Sequence, residues 1–283
     1  MILDGKVVAA SIKEQLKEEI TAAVANGNRA PFLVIISIGD DPASRVYVRN
    51  KIKAAEEVGI VVSHLTFPTD EDKLLVSNSI KYCAGSPDVD GIMVQLPLPA
   101  GWDERELIDM IPPEKDVDGL TTTNIGRLRS GQPGLRPCTA QGIIDLCKYY
   151  KIDIKGKEVT VVGRSNIVGK PVADLMMAEG ATVTQCHSKT EWLEIHTLPA
   201  DIVVSAIGKP KFLNDRHFGY GGAIIDVGIN RDENGKLCGD IDFEKVKEQV
   251  ECITPVPGGV GPMTVAELMK NTVECWRKNI NNN

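Results

Sequence analysis

The stretch KEVTVVGRSNIVGKP, Lys157–Pro171, decides how the chain is read. An apolar strand runs into a glycine turn and then into a helix, which is how a dinucleotide-binding unit opens. Gly163 and Gly169 supply the tight backbone geometry. The helix after Ile167-Val168 turns its first amides toward a pyrophosphate. The spacing is G-x-S-x-x-x-G, however, not G-x-G-x-x-G, so the stretch also reads as a plain strand-to-helix turn.

The next strand shifts the balance. Units that bind NAD carry an acidic residue about 20 positions on, which accepts the ribose hydroxyls. Here GATVTQCHSKT ends in Cys186-His187-Ser188-Lys189-Thr190, with no carboxylate. A hydroxyl and cations at that strand end suit the 2′-phosphate of NADP, and Arg164 adds a planar, permanently charged fork for the same group. A carboxylate there would repel the phosphate. These residues therefore point to NADP as the cofactor.

Outward from this stretch, strand-like and helical runs alternate. FLVIISIG, VVSHLTFP and GIMVQLPLP form one strand series, with helices expected over Pro42–Val58 and Glu71–Tyr82. EVTVVG, ATVTQC, DIVVSAIG and GAIIDVGI form a second, preceded by a helix over Ala140–Tyr150. Apolar strands separated by helices indicate parallel sheets covered on both faces. Between the series lies MIPPEKDVDGLTTTNIGRLRSGQPGLRPCTAQG, rich in Pro, Gly and Thr and too long for a simple connector. The expected architecture is α/β: two three-layer domains, the second a Rossmann-like parallel sheet, with an active-site cleft between them. Residues 1–138 plus 264–283 make the first domain and 139–263 the second. The N-terminus reads as strand, turn and amphipathic helix, the last helix folds back across the domain boundary, and the NINNN tail reads as disordered.

Bulk properties set limits. The chain has 283 residues, long enough for two cores, and 32 basic against 39 acidic side chains give a net charge of −7. That balance argues against a nucleic-acid surface. No apolar run approaches the ~20 residues that cross a bilayer, and the N-terminus lacks a basic leader, so a cytoplasmic protein is expected. Seven scattered cysteines with no C-x-x-C pair, and four dispersed histidines, offer neither a disulfide framework nor a metal site.

In the first domain, DPASRVYVRNKIKAAEEVGI reads as a helix with Pro42 in its first turn and Gly59 at its end. Val48, Ile52 and Ala55 form its apolar stripe. Tyr47 and Lys51, four apart, share an adjoining face; alone they read equally as a surface aromatic and a solvated lysine. Gln95 ends the apolar strand GIMVQ, and carboxyl ends of parallel strands are where ligands bind in open α/β sheets. KDVDGL places Asp116 and Asp118 in the long inter-domain segment, where turn chemistry explains a D-G pair equally well.

Taken in order, YVRNKIKAAEEVGI, GIMVQLPLP, KDVDGL, VVGRSNIVGKP, DVGIN and PGGVGPMT resemble the bifunctional methylenetetrahydrofolate dehydrogenase/methenyltetrahydrofolate cyclohydrolase family over nearly the whole chain. The resemblance implies a homodimeric enzyme of one-carbon metabolism, serving purine biosynthesis. Such an enzyme passes a hydride from 5,10-methylenetetrahydrofolate to NADP+ and then hydrolyses the methenyl product to 10-formyltetrahydrofolate. It also implies Lys51 as the catalytic lysine, Gln95 as the residue that hydrogen-bonds and tunes it, and Asp118 as the grip on the pterin. Tyr47 stacks on the aminobenzoate region, and Gly258 and Gly259 border the substrate. Gly163, Arg164, Ser165, Ser188, Ile229 and Thr264 contact the cofactor, and no metal is expected. Hydride departure needs positioning above all, whereas hydration needs proton transfer, which a desolvated lysine can serve.

The chain departs from the family pattern at PCTA (Pro137–Ala140) and at Thr121–Thr123. The residues admit two other readings: a two-domain NADP dehydrogenase for a different small molecule, and a non-catalytic dinucleotide-binding or regulatory protein. The first leaves Tyr47, Lys51, Gln95 and Asp118 without a shared purpose. The second calls for loss of Lys51 or of the glycine loop, and both are intact.

Overall fold

The computed structural model describes residues 1–281. The chain divides into two compact units: Ala10–Cys138 with Val265 onward, here the first unit, and Met1–Ala9 with Thr139–Thr264, the second. The sequence placed residues 1–138 together, but the first nine group with the second unit. Backbone pairing is the cause. The Leu3 N–H donates to the Ile253 carbonyl (2.9 Å), the Ile253 N–H to Met1 (3.1 Å) and the Gly5 N–H to Gly258 (2.9 Å).

The first unit is built on β1 (Phe32–Ile38), β2 (Val61–Phe67) and β3 (Gly91–Val94), all parallel, in the order β2-β1-β3. Side chains alternate along the central strand, so one sequence run serves two cores. Leu33 and Ile35 face a core with Leu16 of α1 (Gly5–Ala25) and Val48 of α2 (Pro42–Val58). Val34, Ile36 and Ile38 face another with Ile80 of α3 (Lys73–Gly85) and Leu107 of α4 (Glu104–Ile108). This is the expected three-layer arrangement.

α3 starts two residues after the expected Glu71, because the Asp72 carboxylate accepts from the Leu74 N–H (2.9 Å) and fixes the first turn there. The segment read as irregular contains α5 (Thr122–Arg129), capped by the Thr121 hydroxyl, which accepts from the Asn124 N–H (3.2 Å). Its run TTNIGRLR is too polar and too short to show a helical stripe. α6 (Cys138–Tyr149) follows.

The second unit carries β4 (Glu158–Val162), α7 (Gly169–Ala178), β5 (Thr182–Cys186), α8 (Leu193–Thr197), β6 (Ile202–Ser205) and β7 (Ala223–Asp226). Then come the hairpin β8 (Asn230–Arg231) and β9 (Leu237–Cys238), α9 (Phe243–Val246), β10 (Cys252–Ile253) and α10 (Val260–Asn281). Its five-stranded parallel sheet has the order β10-β7-β6-β4-β5. Numbered within the unit this is 2-1-3-4-5, a doubly wound sheet whose order reverses between β4 and β6. A Rossmann-like parallel sheet was legible in sequence; which neighbour each strand takes was not.

α10 supplies Met269, Val273 and Trp276, four and three apart on one face, together with Leu268, to the core of the first unit. Trp276 is 1% exposed and its indole N–H donates to the Arg29 carbonyl (3.0 Å). The NINNN tail is not disordered at its start. Asn279–Asn281 continue the helix, with the Asn279 amide donating to the buried Asp90 (2.8 Å), while Asn282 and Asn283 lie outside the described residues.

Asp116, 1% exposed, accepts from the N–H groups of Leu120 (3.1 Å) and Thr121 (2.8 Å) and from the Asn124 amide (2.9 Å). Truncation strands three buried donors. Asp116→Ala is therefore expected to destabilise the first unit by about 3 kcal/mol. Urea unfolding checks this, and a loss near zero would show that the loop is held some other way.

Candidate active site

Two caps aim the key helix of the first unit. The Asp41 carboxylate accepts from the Ser44 N–H (2.7 Å), Pro42 occupies the first turn, and Gly59 (φ 91°) ends α2. With Val48 and Ala55 buried in the core, Tyr47 and Lys51 fall on the adjoining row, one turn apart. Tyr47 is half-buried, whereas Lys51 is only 8% exposed. Its ammonium donates to Gln95 Oε1 at 3.0 Å and lies 3.7 Å from Met93 Sδ.

Gln95 sits one residue beyond β3, with its backbone N–H on the Ile36 carbonyl (2.8 Å). Its side-chain nitrogen donates to the Leu96 carbonyl, and this turns its oxygen toward Lys51. Asp118 joins the same field. Burial pushes its carboxyl above the usual range; the nearby Lys51 charge pulls it back, Asp116 reinforces the rise, and the Cys138 thiol opposes it by hydrogen bonding. The two aspartates of KDVDGL thus part company, since Asp116 is consumed by the loop and Asp118 faces the lysine. A cavity of about 790 Å³ at the carboxyl ends of β1 and β2 is lined by Ser37, Arg49, His64, Thr66, Gln95 and Pro97. Gln95 is the member of the predicted set that borders it.

In the second unit, the turn after β4 requires glycine twice. Gly163 has φ 135°, and a Cβ on it would meet the Ala206 carbonyl oxygen at 2.2 Å; one on Gly169 would meet the Gly163 oxygen at 2.4 Å. Ser165 has a structural duty that sequence did not indicate. Its hydroxyl accepts from the Val168 (3.2 Å) and Gly169 (3.3 Å) N–H groups, closing the turn into α7 with amides expected to face a pyrophosphate. Arg164, Ser188 and Lys189 are exposed at the ends of β4 and β5. The His187–Thr190 turn is closed by the Thr190 hydroxyl, which accepts from the His187 N–H (2.9 Å). Gln185, not anticipated, donates to the Gly163 carbonyl (3.1 Å).

Ile229 is 45% exposed on the loop after β7. Gly258 and Gly259 are buried and pack so closely on the first turn of α1 that a Cβ on Gly5 would lie 1.9 Å from the Gly259 oxygen. Thr264 donates to the Thr139 hydroxyl (3.1 Å). Among the described residues no cluster of three or more His, Cys, Asp or Glu is arranged to hold a metal, and all seven cysteines are free and buried.

Sequence reasoning also missed a pair of buried carboxylates, Asp226 (3% exposed) and Asp240 (0%). Asp226 accepts from the N–H groups of Gly228 (2.9 Å), Asp240 (3.0 Å) and Ile241 (2.9 Å). Asp226 was read only as part of DVGIN and Asp240 not at all, because a lone G-D in a loop looks like any turn.

The fold and site define a class: parallel α/β units with polar groups gathered at the carboxyl ends of their strands, one opening with a nucleotide-type strand–turn–helix. Comparison with known proteins narrows it. The profile "Tetrahydrofolate dehydrogenase/cyclohydrolase, catalytic domain" matches residues 3–118, and its "NAD(P)-binding domain" companion matches 137–280. A Bifunctional protein FolD of Methanoculleus marisnigri is 51% identical over 272 residues, covering 96% of this chain and 95% of the relative. The crystal structure of the bifunctional FolD methylenetetrahydrofolate dehydrogenase/cyclohydrolase of Campylobacter jejuni superposes with a TM-score of 0.96 at 42% identity, covering 98% and 99% of the two chains. The Trypanosoma brucei enzyme, crystallised with NADP cofactor and an inhibitor, gives 0.94 at 36% identity, covering 99% and 98%. The chain belongs to the tetrahydrofolate dehydrogenase/cyclohydrolase family.

Burial pushes the Asp226 carboxyl from its ordinary 3.8 up to about 7, outweighing the backbone N–H groups that favour its ionised form. A carboxyl raised on folding stabilises the native state below its unfolded pKa, and that contribution is lost as pH rises through the folded value. Between about pH 4 and 7 the native state therefore loses up to about 1.4 kcal/mol per pH unit through this group. Scanning calorimetry of wild type against Asp226→Asn should show the wild type's relative melting temperature falling across that window. A constant difference from pH 4 to 8 would contradict the assignment.

Proposed function

We propose that the protein oxidises 5,10-methylenetetrahydrofolate to the methenyl form with NADP+ and hydrolyses the product to 10-formyltetrahydrofolate. The observation that carries the reading is the buried Lys51–Gln95 pair, with Asp118 in its field, at the carboxyl edge of a parallel sheet. Family membership supplies the substrate class.

The chemistry follows from what each group can do. Lys51 is the catalytic residue for proton transfer during hydration. Gln95 offers it a neutral acceptor, so the hydrogen bond persists whether the nitrogen carries two protons or three; a carboxylate there would hold the ammonium form in place. Asp118 binds the pterin by accepting from its exocyclic amine and a ring N–H, and its distance from full solvation strengthens both bonds. Tyr47 stacks on the aminobenzoate ring one turn away. The glycine pair at positions 258 and 259 lets the backbone lie close to the substrate.

NADP+, when bound, accepts the hydride that leaves the methylene carbon. The residues fit it: the Gly163–Gly169 turn is closed by backbone contacts that leave no room for a side chain at either glycine, and the adjacent strand ends present Arg164, Ser188 and Lys189 without a carboxylate. Ser165 holds this turn closed, and Ile229 and Thr264 complete the cofactor side. A homodimer in the cytoplasm completes the reading. Supporting it, the outer edge of β2 pairs with no strand among the described residues and exposes Val61 (53%), an edge that a second copy can cover. The buried, unbridged thiols suit a reducing compartment.

Purified protein with methylenetetrahydrofolate and NADP+ should produce NADPH, and the methenyl compound should be hydrolysed faster than in buffer. Lys51→Met should cut hydrolysis by a factor of about 10² or more with the circular dichroism unchanged; hydrolysis at the wild-type rate would remove the lysine from the mechanism. Arg164→Ala should raise KM for NADP+ about tenfold or more while leaving that for NAD+ nearly unchanged. An equal effect on both would exclude Arg164 as the specificity element.

A further inference from the structure

The second unit buries a carboxylate that no cation neutralises among its hydrogen-bond partners. Asp240 accepts from the Ser205 hydroxyl (3.1 Å), the N–H groups of Ile207 (2.7 Å), Gly208 (3.0 Å) and Lys209 (2.9 Å), and the Asn230 amide (2.8 Å). All five donors are neutral, so the charge is held by dipoles alone. The backbone is cut to fit: a Cβ on Gly228 would lie 2.2 Å from Asp240 Oδ1, and one on Gly239 1.9 Å from Asp226 Oδ2. Burying a charge this way is costly, and an ordinary surface turn has no need of it.

What the carboxylate holds is informative. Residues 206–209 follow β6 and residues 227–230 follow β7, both at the carboxyl edge of the sheet. The order reverses between β4 and β6, so a dinucleotide lies across that edge with its diphosphate at the Gly163 turn. The groups suited to a 2′-phosphate, Arg164, Ser188 and Lys189, lie at the ends of β4 and β5, which puts the adenosine half on the β5 side. The other half must then extend over β6 and β7. Ala206, whose carbonyl approaches Gly163, and Ile229 are the residues it meets there.

We propose that Asp240 is the positioning residue for the nicotinamide half of the dinucleotide, its carboxylate locking loop 206–209 directly and loop 227–230 through Asn230. This rests on the reading of the second unit as the NADP site. In Asp240→Asn the new amide N–H groups face backbone N–H groups of loop 206–209 whichever oxygen is replaced, since Ile207 bonds Oδ2 and Gly208 and Lys209 bond Oδ1, so that loop must shift. Asn230→Ala cuts only the link to loop 227–230 and serves as the milder variant should the first fail to fold.

The test is calorimetric titration of the full chain with NADP+ and, separately, with 2′,5′-ADP, which carries the adenosine half alone. Asp240→Asn should weaken NADP+ about tenfold to a hundredfold, and Asn230→Ala about threefold to tenfold, while 2′,5′-ADP binds both as it binds wild type. Methenyl hydrolysis without nucleotide should be unchanged. Equal weakening of the two nucleotides would reduce Asp240 to a general structural role, and undiminished NADP+ binding in a folded variant would also overturn the proposal. The functional reading fails separately, on the wild type: protein that binds no NADP+ overturns both, whereas wild type that makes NADPH alongside an unaffected Asp240→Asn overturns only this one.

Discussion

A strand with its two successors on opposite sides forces the chain to cross its sheet in both directions, and the crossings leave a crevice at the carboxyl edge. Both units meet this constraint, with β1 between β2 and β3 and β4 between β5 and β6. Everything chemical in the protein is arranged around it. Gln95 emerges where β3 ends, the glycine turn where β4 ends, and the cationic turn where β5 ends. None of these groups needs a special scaffold; each is the next residue or two after a strand that hydrophobic burial has already fixed.

Desolvation then makes the site. Lys51 lies almost wholly out of water, yet its acceptor is an amide, and the nearby carboxyl of Asp118 is itself displaced upward by burial. Charge in the second unit is handled differently: exposed cations wait at the strand ends, while the buried aspartates are satisfied by peptide dipoles. An overall excess of acid is compatible with an anionic ligand because the strand ends of this unit present cations while Asp226 and Asp240 are buried.

Much of this could be read from sequence, and the misses have a common cause. α2 was legible because its boundary residues, Pro42 and Gly59, are local signals with fixed offsets. The strands were legible because central parallel strands are apolar on both faces. α5 was not, since its cap is one threonine among three and its body is polar. Asp116 and Asp118 are alike in sequence and differ only in what folds over them. Ser165 reads as a ligand for phosphate and also closes the turn into α7. Strand order, the pairing of residues 1–9, and the Asp240 network all depend on partners dozens to hundreds of positions away, and no local pattern encodes those.

That long-range pairing bears on how the chain is made. Leu3 and Gly5 find their partners at Ile253 and Gly258, and the core of the first unit is closed by Met269, Val273 and Trp276. Neither unit can be finished from the residues that emerge first. As the chain leaves the ribosome at roughly 5–20 residues per second, each half must wait, partly open, for residues 253–276. Residues 253–276 then close both units in one short stretch of synthesis, so neither reaches its final structure much ahead of the other.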